Sequence, residues 1–434
     1  MLVVTKFGGS SLSCATQFAK VKKIVESDAK RKIVVVSALG KRDSSDTKIT
    51  DLLYILHAHI KYGVPYDDIW NMIYERFVEI QTELNITCEI EEDLKIIKDE
   101  LNPSISLDYL VSRGEYLTAR LMSSYLGYQF VDAKNLICFS YDGKIDYKMT
   151  EKKVRLAFSE YGIMVVPGFY GAYPNGSVKL FSRGGSDVTG SILAMCLNVS
   201  LYENWTDVSG ILAADPKIID QPRAIKEITY AELRELSYMG ANVLHEETVF
   251  PVQSLNIPIN LKNTNIPEDP GTIIKNDCAD VSSNVTGIAG RKDFVAFTIS
   301  KNHMSNEIGL LRKALTIFEK YNVSVEHIPS GIDSFSVVVA KDTVEKCQYD
   351  IITELKQALG ADVTLDSDIA LVAVVGRNMA KKSGICGTIF STLGEKKISV
   401  KLLAQGPSEL NIIIGISVSD YETALKALYE TLMR

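Results

Sequence analysis

The sequence predicts an α/β protein with a largely parallel central sheet, followed by a small βαββαβ module present twice. Three observations carry this reading. Short β-branched runs alternate with helical patterns through the first part of the 434 residues, the mark of strand–helix–strand units. Breaks rich in glycine and serine stand just past the carboxyl ends of those runs, the edge where open α/β sheets bind ligands. Beyond residue 290 the pattern recurs at a constant offset of 75, matching Met304 with Met379, Gly309 with Gly384, Val323-Ser-Val325 with Ile398-Ser-Val400 and Val337-Val-Val339 with Ile412-Ile-Ile414. Each copy reads strand, glycine-containing loop, helix, strand, turn, strand, helix.

In chain order, Leu2 to Phe7 reads as a buried strand that breaks into Gly8-Gly9-Ser10-Ser11. Phe18, Val21 and Val25 mark a helix, and Lys32 to Val36 a second strand ending in Ser37-Ala38-Leu39-Gly40. Lys41 to Lys48 is polar and looks like a mobile loop. Thr50-Asp51 opens an apolar helix from Leu52 to Ile60, and residues 66 to 101 keep helical spacing with little chemistry in view. Leu110, Gly114, Leu117, Leu121 and Tyr125 share one helix face, with Glu115 beside Gly114. Tyr128 to Val131, Ile163 to Val166 and Ser200 to Glu203 supply further strands; Gly168-Phe169-Tyr170-Gly171 and Trp205-Thr206-Asp207 follow two of them. Pro267-Glu-Asp-Pro-Gly271 breaks the pattern and looks like the exit from the first domain. The expected domains are residues 1–280, 290–365 and 366–434.

Net charge is −7, from 47 basic and 54 acidic residues, without a long basic run. That argues against nucleic acid or an anionic membrane as the main partner and leaves room for a nucleotide, which needs only a few local cations. The cysteines at 14, 88, 138, 196, 278, 347 and 386 form no C-x-x-C pair, a pattern that suits a reducing compartment. His57 and His59, two apart, face different ways on a helix and make a poor metal pair. No apolar run reaches the roughly 18 residues that span a membrane. Met1 is followed directly by a strand-like run, so no signal peptide is expected. The expected location is cytoplasmic.

The richest stretch is Phe181-Ser-Arg-Gly-Gly-Ser-Asp-Val-Thr-Gly-Ser-Ile-Leu-Ala194. Gly184 and Gly185 allow a tight turn, Ser186 or Asp187 can cap a helix from Val188 to Asn198, and Arg183 offers a fork for a carboxylate or phosphate. It is either an anion site at a helix start or a plain capping turn with a surface arginine. Lys6, just before the Gly-Gly-Ser turn, can reach phosphates laid on the glycine backbone; otherwise it is a strand-end lysine. Asp187 and Asp207 can hold Mg²⁺ or orient lysines, or are ordinary cap and turn aspartates. Neither a Walker A loop nor a dinucleotide fingerprint is present. Convergence of five strand-end loops is what favours a ligand crevice.

Taken together, Lys6-Phe-Gly-Gly-Ser-Ser11, Val111-Ser-Arg-Gly-Glu115, Phe181-Ser-Arg-Gly-Gly-Ser-Asp187, Trp205-Thr-Asp-Val-Ser-Gly210, Ala213-Ala-Asp-Pro216 and Gly240-Ala-Asn-Val-Leu-His245 resemble the aspartate kinases of the amino-acid kinase superfamily, in the family's order. The doubled module resembles that family's paired ACT domains. Acetylglutamate, glutamate and UMP kinases share only the Lys/Gly-Gly and Asp elements.

The resemblance implies an amino-acid kinase sandwich and ATP-dependent phosphorylation of the β-carboxylate of L-aspartate, with Mg²⁺ held mainly through the nucleotide phosphates. It places Lys6, Phe7, Gly8, Gly9, Thr206, Asp207, Leu212, Lys217 and Asn242 at the nucleotide, with Lys6 and Asp187 at the reacting centre. Glu115 would take the substrate ammonium and Arg183 its α-carboxylate, with Ser37, Thr50 and Ser186 seating the rest. The family often has tyrosine at Leu212, arginine at Lys217 and lysine at Asn242, and proline where Glu246 follows His245. The ACT pair implies feedback by an amino acid at Met304, Gly309, Leu310, Val325, Glu326 and Ser330. Glu326 would suit the ε-ammonium of lysine, or is an exposed strand-end residue. A homodimer or dimer of dimers is implied. The alternative is a non-catalytic amino-acid sensor whose kinase domain survives as scaffold.

Overall fold

Five consecutive buried residues, Val3–Phe7, form the strand around which the first part of the chain is built. A computed structural model describes residues 1–182, 184–241, 244, 246–278, 284–379, 382–406 and 408–433, without the side chains of Glu246, Glu247 and Val249. The chain divides into two compact units, Met1–Ile211 with Ala224–Tyr230 and Val243–Cys278, and Leu212–Arg223 with Ala231–Asn242 and Ala279–Arg434.

Through the first part the elements run β1 (Val3–Phe7), α1 (Ala15–Glu26), β2 (Arg31–Val36), α2 (Ile49–Tyr62), α3 (Asp67–Glu83), α4 (Ile90–Asp99), α5 (Leu107–Leu126), β3 (Gln129–Phe130), α6 (Tyr147–Tyr161), β4 (Met164–Pro167), β5 (Tyr170–Ala172) and β6 (Val178–Leu180). There follow α7 (Gly185–Leu197), β7 (Leu201–Thr206), β8 (Ile211–Leu212), β9 (Ala224–Ile225), β10 (Glu227–Thr229), α8 (Tyr230–Tyr238), α9 (Glu246–Gln253), β11 (Ile259–Asn263) and β12 (Thr272–Lys275).

The sheet of the first unit has the order β10-β12-β11-β7-β1-β2-β4-β3. All of its pairs are parallel except β11 with β12. β1, β2 and β4 are buried on both faces, which is why they read as unbroken apolar runs. Because β1, β2, β4 and β7 point the same way, Gly8, Ser37, Gly168 and Asp207 all emerge at one sheet edge. Two expectations are corrected here. Pro267–Gly271 is not an exit: it joins antiparallel β11 to β12. The helix after Gly184 begins at Gly185, with Gly184 as its N-cap at φ +73°, so Ser186 and Asp187 lie inside its first turn and cap nothing.

The second unit carries a five-stranded antiparallel sheet. β13 (Gly287–Ser300), α10 (Leu310–Lys320), β14 (Ser334–Ala340), α11 (Lys341–Val344), α12 (Gln348–Leu359) and β15 (Asp362–Val375) precede α13 (Ile385–Glu395), β16 (Leu402–Gln405), β17 (Asn411–Ile416) and α14 (Tyr421–Met433). The order is β14-β13-β15-β17-β16. The second half of β13 pairs with β14 and with the first half of β15; its first half, Gly287–Arg291, pairs with Leu371–Val375, which also pair with β17. The expected 365/366 boundary thus falls inside β15. The strand expected at Val323–Val325 is reduced to isolated bridges, His327 with Val338 and Ser330 with Phe335. The first module has its own core, in which Phe297 and Phe318 meet edge to face.

Candidate active site

Lys6 is the last-but-one residue of β1, buried, and its Nζ lies 2.5 Å from Asp187 Oδ1 in the first turn of α7. Asn204, on neighbouring β7, donates its amide to the same carboxylate oxygen at 3.0 Å. The Tyr202 hydroxyl donates to the Asp187 carbonyl at 3.0 Å, fixing the helix start. The chain leaving Lys6 turns at once, with the Gly8 N–H donating to the Trp205 carbonyl at 2.9 Å. Gly9 and Gly40 then cross at close range: the Gly40 N–H donates to the Gly9 carbonyl at 2.8 Å. A Cβ on Gly40 would stand 2.4 Å from the Gly9 carbonyl carbon, and one on Gly9 2.8 Å from the Ala38 oxygen. Only glycines let these two strand-end loops touch.

Glu115 occupies the floor. Its carboxylate receives the Ala38 backbone N–H, while Oε2 has no hydrogen-bond partner among the described residues. Burial pushes the carboxyl up to about 8, against the pull of Arg113. An unpartnered acid oxygen in a dry site suits an incoming ammonium group, which would supply both the charge and the donors.

These groups share one cavity of about 670 Å³. Of the residues singled out from the sequence, Lys6, Gly8, Gly9, Ser37, Thr50, Glu115, Ser186, Asp187, Thr206 and Asp207 line it. Phe7 does not; its ring is buried and stacks on Trp205, and it contributes only a carbonyl that accepts from the Ser37 N–H at 3.2 Å. Leu212 and Lys217 belong to the second unit, where Lys217 helps line a polar cavity of about 780 Å³ with Asp215, Arg291, Lys292 and Tyr421. Arg183, Asn242 and His245 lie outside the described residues.

In the second unit Met304 and Leu310 are buried, Gly309 is the N-cap of α10 at φ +80°, and Val325 packs on the module's core. Ser330 is exposed. Glu326 is not a free strand-end acid, because the Tyr238 hydroxyl donates to its carboxylate.

Sequence reasoning missed two arginines and one aromatic. Arg76, on α3, is 4% exposed and binds the loop at 40–47, so the segment expected to be mobile is tied down. Arg113 is equally buried, stacked against the rings of Tyr109, Tyr116 and Tyr170 and bonded to the Ser112 hydroxyl. Its adjacency to Gly114-Glu115 was the available signal. Phe169 lines the cavity at φ +77°, an outlier for a bulky residue that no sequence pattern announces.

A family model described as the amino acid kinase family matches residues 1–263, and one described as an ACT domain matches residues 372–432. Aspartokinase 3 of Bacillus subtilis (strain 168) is 34% identical over 98% of this chain and 98% of its own. The crystal structure of Clostridium acetobutylicum aspartate kinase is similar at TM-score 0.95 and 47% identity, over 99% of this chain and 100% of that one. E. coli aspartokinase III, solved in complex with aspartate and ADP (R-state), is similar at TM-score 0.78 and 25% identity, covering all of both chains. Solved in complex with lysine and aspartate (T-state), it gives 0.77 and 26%, again over all of both. With its Lys6–Asp187 crevice at a parallel sheet edge and an ACT domain in its sequence, this chain belongs to the aspartate kinases of the amino acid kinase family.

Proposed function

We propose that this chain transfers the γ-phosphoryl group of ATP to the β-carboxylate of L-aspartate, giving 4-phospho-L-aspartate and ADP. The observation that carries the reading is one cavity holding both a Lys6–Asp187 pair beside a glycine turn and the unpartnered acid Glu115. The complex of E. coli aspartokinase III with aspartate and ADP supports it.

Glu115 would hold the substrate ammonium and Arg183 the α-carboxylate, leaving the β-carboxylate free to act as nucleophile. Ser37, Thr50 and Ser186 seat the substrate between them. A β-carboxylate oxygen forms the new bond to the γ-phosphorus as the bond to the β,γ-bridging oxygen breaks, and that electron pair leaves on ADP. The carboxylate is already ionised, so no base is needed. The work is positioning and charge neutralisation. Lys6, aimed by Asp187 and Asn204, meets negative charge building on the phosphates over Gly8 and Gly9.

Among the described residues no group of three or more His, Cys, Asp or Glu could hold a metal ion. Asp187 is engaged by Lys6, and the cavity's other acids among the described residues, Asp43, Glu115 and Asp207, form no such group. That donor set fits Mg²⁺ carried on the phosphates with most of its waters, and the ion would supply charge neutralisation there.

The ACT modules would take an amino-acid effector, with Met304, Gly309, Leu310, Val325, Glu326 and Ser330 as the contact set and lysine as the ligand. The lysine complex of E. coli aspartokinase III supports this. A homodimer or dimer of dimers through those modules, and a place at the first step of lysine, threonine and methionine biosynthesis, go with the same reading. An ADP-release assay run with aspartate, glutamate and acetylglutamate tests it. Turnover with aspartate alone is expected, and none with any of the three would favour the sensor reading.

A further inference from the structure

The guanidinium of Arg76 comes from a helix whose sequence shows only amphipathic spacing, yet it reaches the wall of the catalytic cavity. One terminal nitrogen, Nη2, donates to the Gly40 carbonyl at 2.7 Å and to the Ser13 carbonyl at 3.2 Å. The other, Nη1, donates to Asp46 Oδ2 at 2.9 Å and to the Thr47 carbonyl at 3.3 Å. The side chain is 5% exposed, so these bonds are made away from water. Ser13 closes the short helix Gly9–Leu12 that follows the glycine turn, while Gly40 and Thr47 belong to the segment carrying Ser37, Lys48 and Thr50 to the cavity. Gly40 also donates to the Gly9 carbonyl.

We propose that Arg76 is a positioning residue, a strut between the nucleotide-side turn and the substrate-side loop that fixes the distance between the two substrates. The inference rests on the kinase reading for its catalytic consequence, though not for the strut itself. A planar fork with fixed donors can hold carbonyls on two loops at once. A lysine ammonium on a flexible stem holds them less rigidly. In-line phosphoryl transfer is sensitive to such spacing, since a displacement of about 1 Å imposed from outside the chemistry can cost about 10²-fold in rate.

Arg76→Gln should therefore lower kcat roughly 10- to 100-fold. The KM for aspartate and the calorimetric Kd for ADP should stay within about threefold, because each half-site survives separately. Arg76→Lys should recover part of the lost kcat. Asp46→Asn removes the ion pair but keeps the bridge between carbonyls, and should remain within about threefold of the parent. A wild-type kcat in Arg76→Gln, or a loss in Asp46→Asn equal to it, overturns the proposal.

Amide hydrogen exchange gives an arm independent of turnover. The Gly40 and Ile49 amides, bonded to the Gly9 and Leu39 carbonyls, should exchange at least about tenfold faster in Arg76→Gln, with β1 unchanged. If the parent enzyme failed to turn over aspartate, the kinase reading would fall; unchanged exchange at Gly40 and Ile49 would still overturn the strut.

Discussion

Lys6 Nζ and Asp187 Oδ1 stand 2.5 Å apart, joining the end of β1 to the first turn of α7 across 181 residues of sequence. The pair is a unit: the carboxylate aims the ammonium, and Asn204 aims the carboxylate. Lys6→Met should lower kcat roughly 10²- to 10³-fold. Asp187→Asn should lose at least about tenfold, and the double variant should be little worse than Lys6→Met alone. Steady-state ADP release measures all three, and fully additive losses would contradict the unit.

If Glu115 takes the substrate ammonium as proposed, substrate binding should depend on pH. With its carboxyl pushed up to about 8 by burial, the free site is protonated at neutral pH, and taking up an ammonium requires losing that proton. The KM for aspartate should fall by up to about tenfold per pH unit between roughly pH 6 and 8, then level off. Glu115→Gln should flatten the profile while raising KM throughout.

The same shift has a consequence for stability. The folded carboxyl binds its proton more tightly than the unfolded one, whose ordinary value is 4.5. Between that value and about 8 the native state therefore holds more protons than the unfolded chain. The contribution is fully present below the lower value and is lost as pH rises through the upper one. Urea midpoints of the ligand-free protein should fall with pH across this window more steeply than those of Glu115→Gln; parallel profiles would count against a buried neutral Glu115.

Gly40→Ala would drive a Cβ to within 2.4 Å of the Gly9 carbonyl carbon and 2.6 Å of the Ser10 nitrogen, both backbone. The expected cost is about 1–3 kcal/mol with loss of activity. Gly394→Ala is the contrast, since a Cβ there meets open space within α13. It should be neutral or stabilising by up to about 1 kcal/mol. Thermal melts of the two variants make the comparison.

Arg183→Ala should abolish aspartate turnover and leave nucleotide binding, followed by calorimetry, largely intact. Loss of ADP binding instead would reassign that arginine to the phosphates. For the effector, Glu326→Gln should remove the response to lysine. Binding of threonine without lysine would overturn the assignment.

The crevice was legible because each strand-end loop combines a β-branched run with glycine, serine or acid, and parallel topology sends those ends to one edge. Glu115 was legible only through the resemblance that Val111-Ser-Arg-Gly-Glu115 carries. What stayed hidden depends on long-range or conformational facts. Ser186 and Asp187 look like caps because capping chemistry is local, but Gly184 takes that position with its left-handed backbone, releasing Asp187 for Lys6. Arg76 looks like one more charge on an amphipathic helix, and nothing near it in sequence names carbonyls at 13, 40 and 47 as its partners. Phe7 sits inside a motif whose alternation sends its side chain to the core. The near-repetition at an offset of 75 exposed the duplication but not how its copies interlock.

That interlocking has a mechanical meaning. β13 and β15 each run 14 residues, and each spends one half in either module. Neither module owns a complete sheet, so cutting the chain between them would strand half of two beams. A load applied at the α10 end of β13 would reach the β17 end of β15 through paired backbone, interrupted only where the register shifts between Arg291 and Ala296 and Asp293 takes φ +69°.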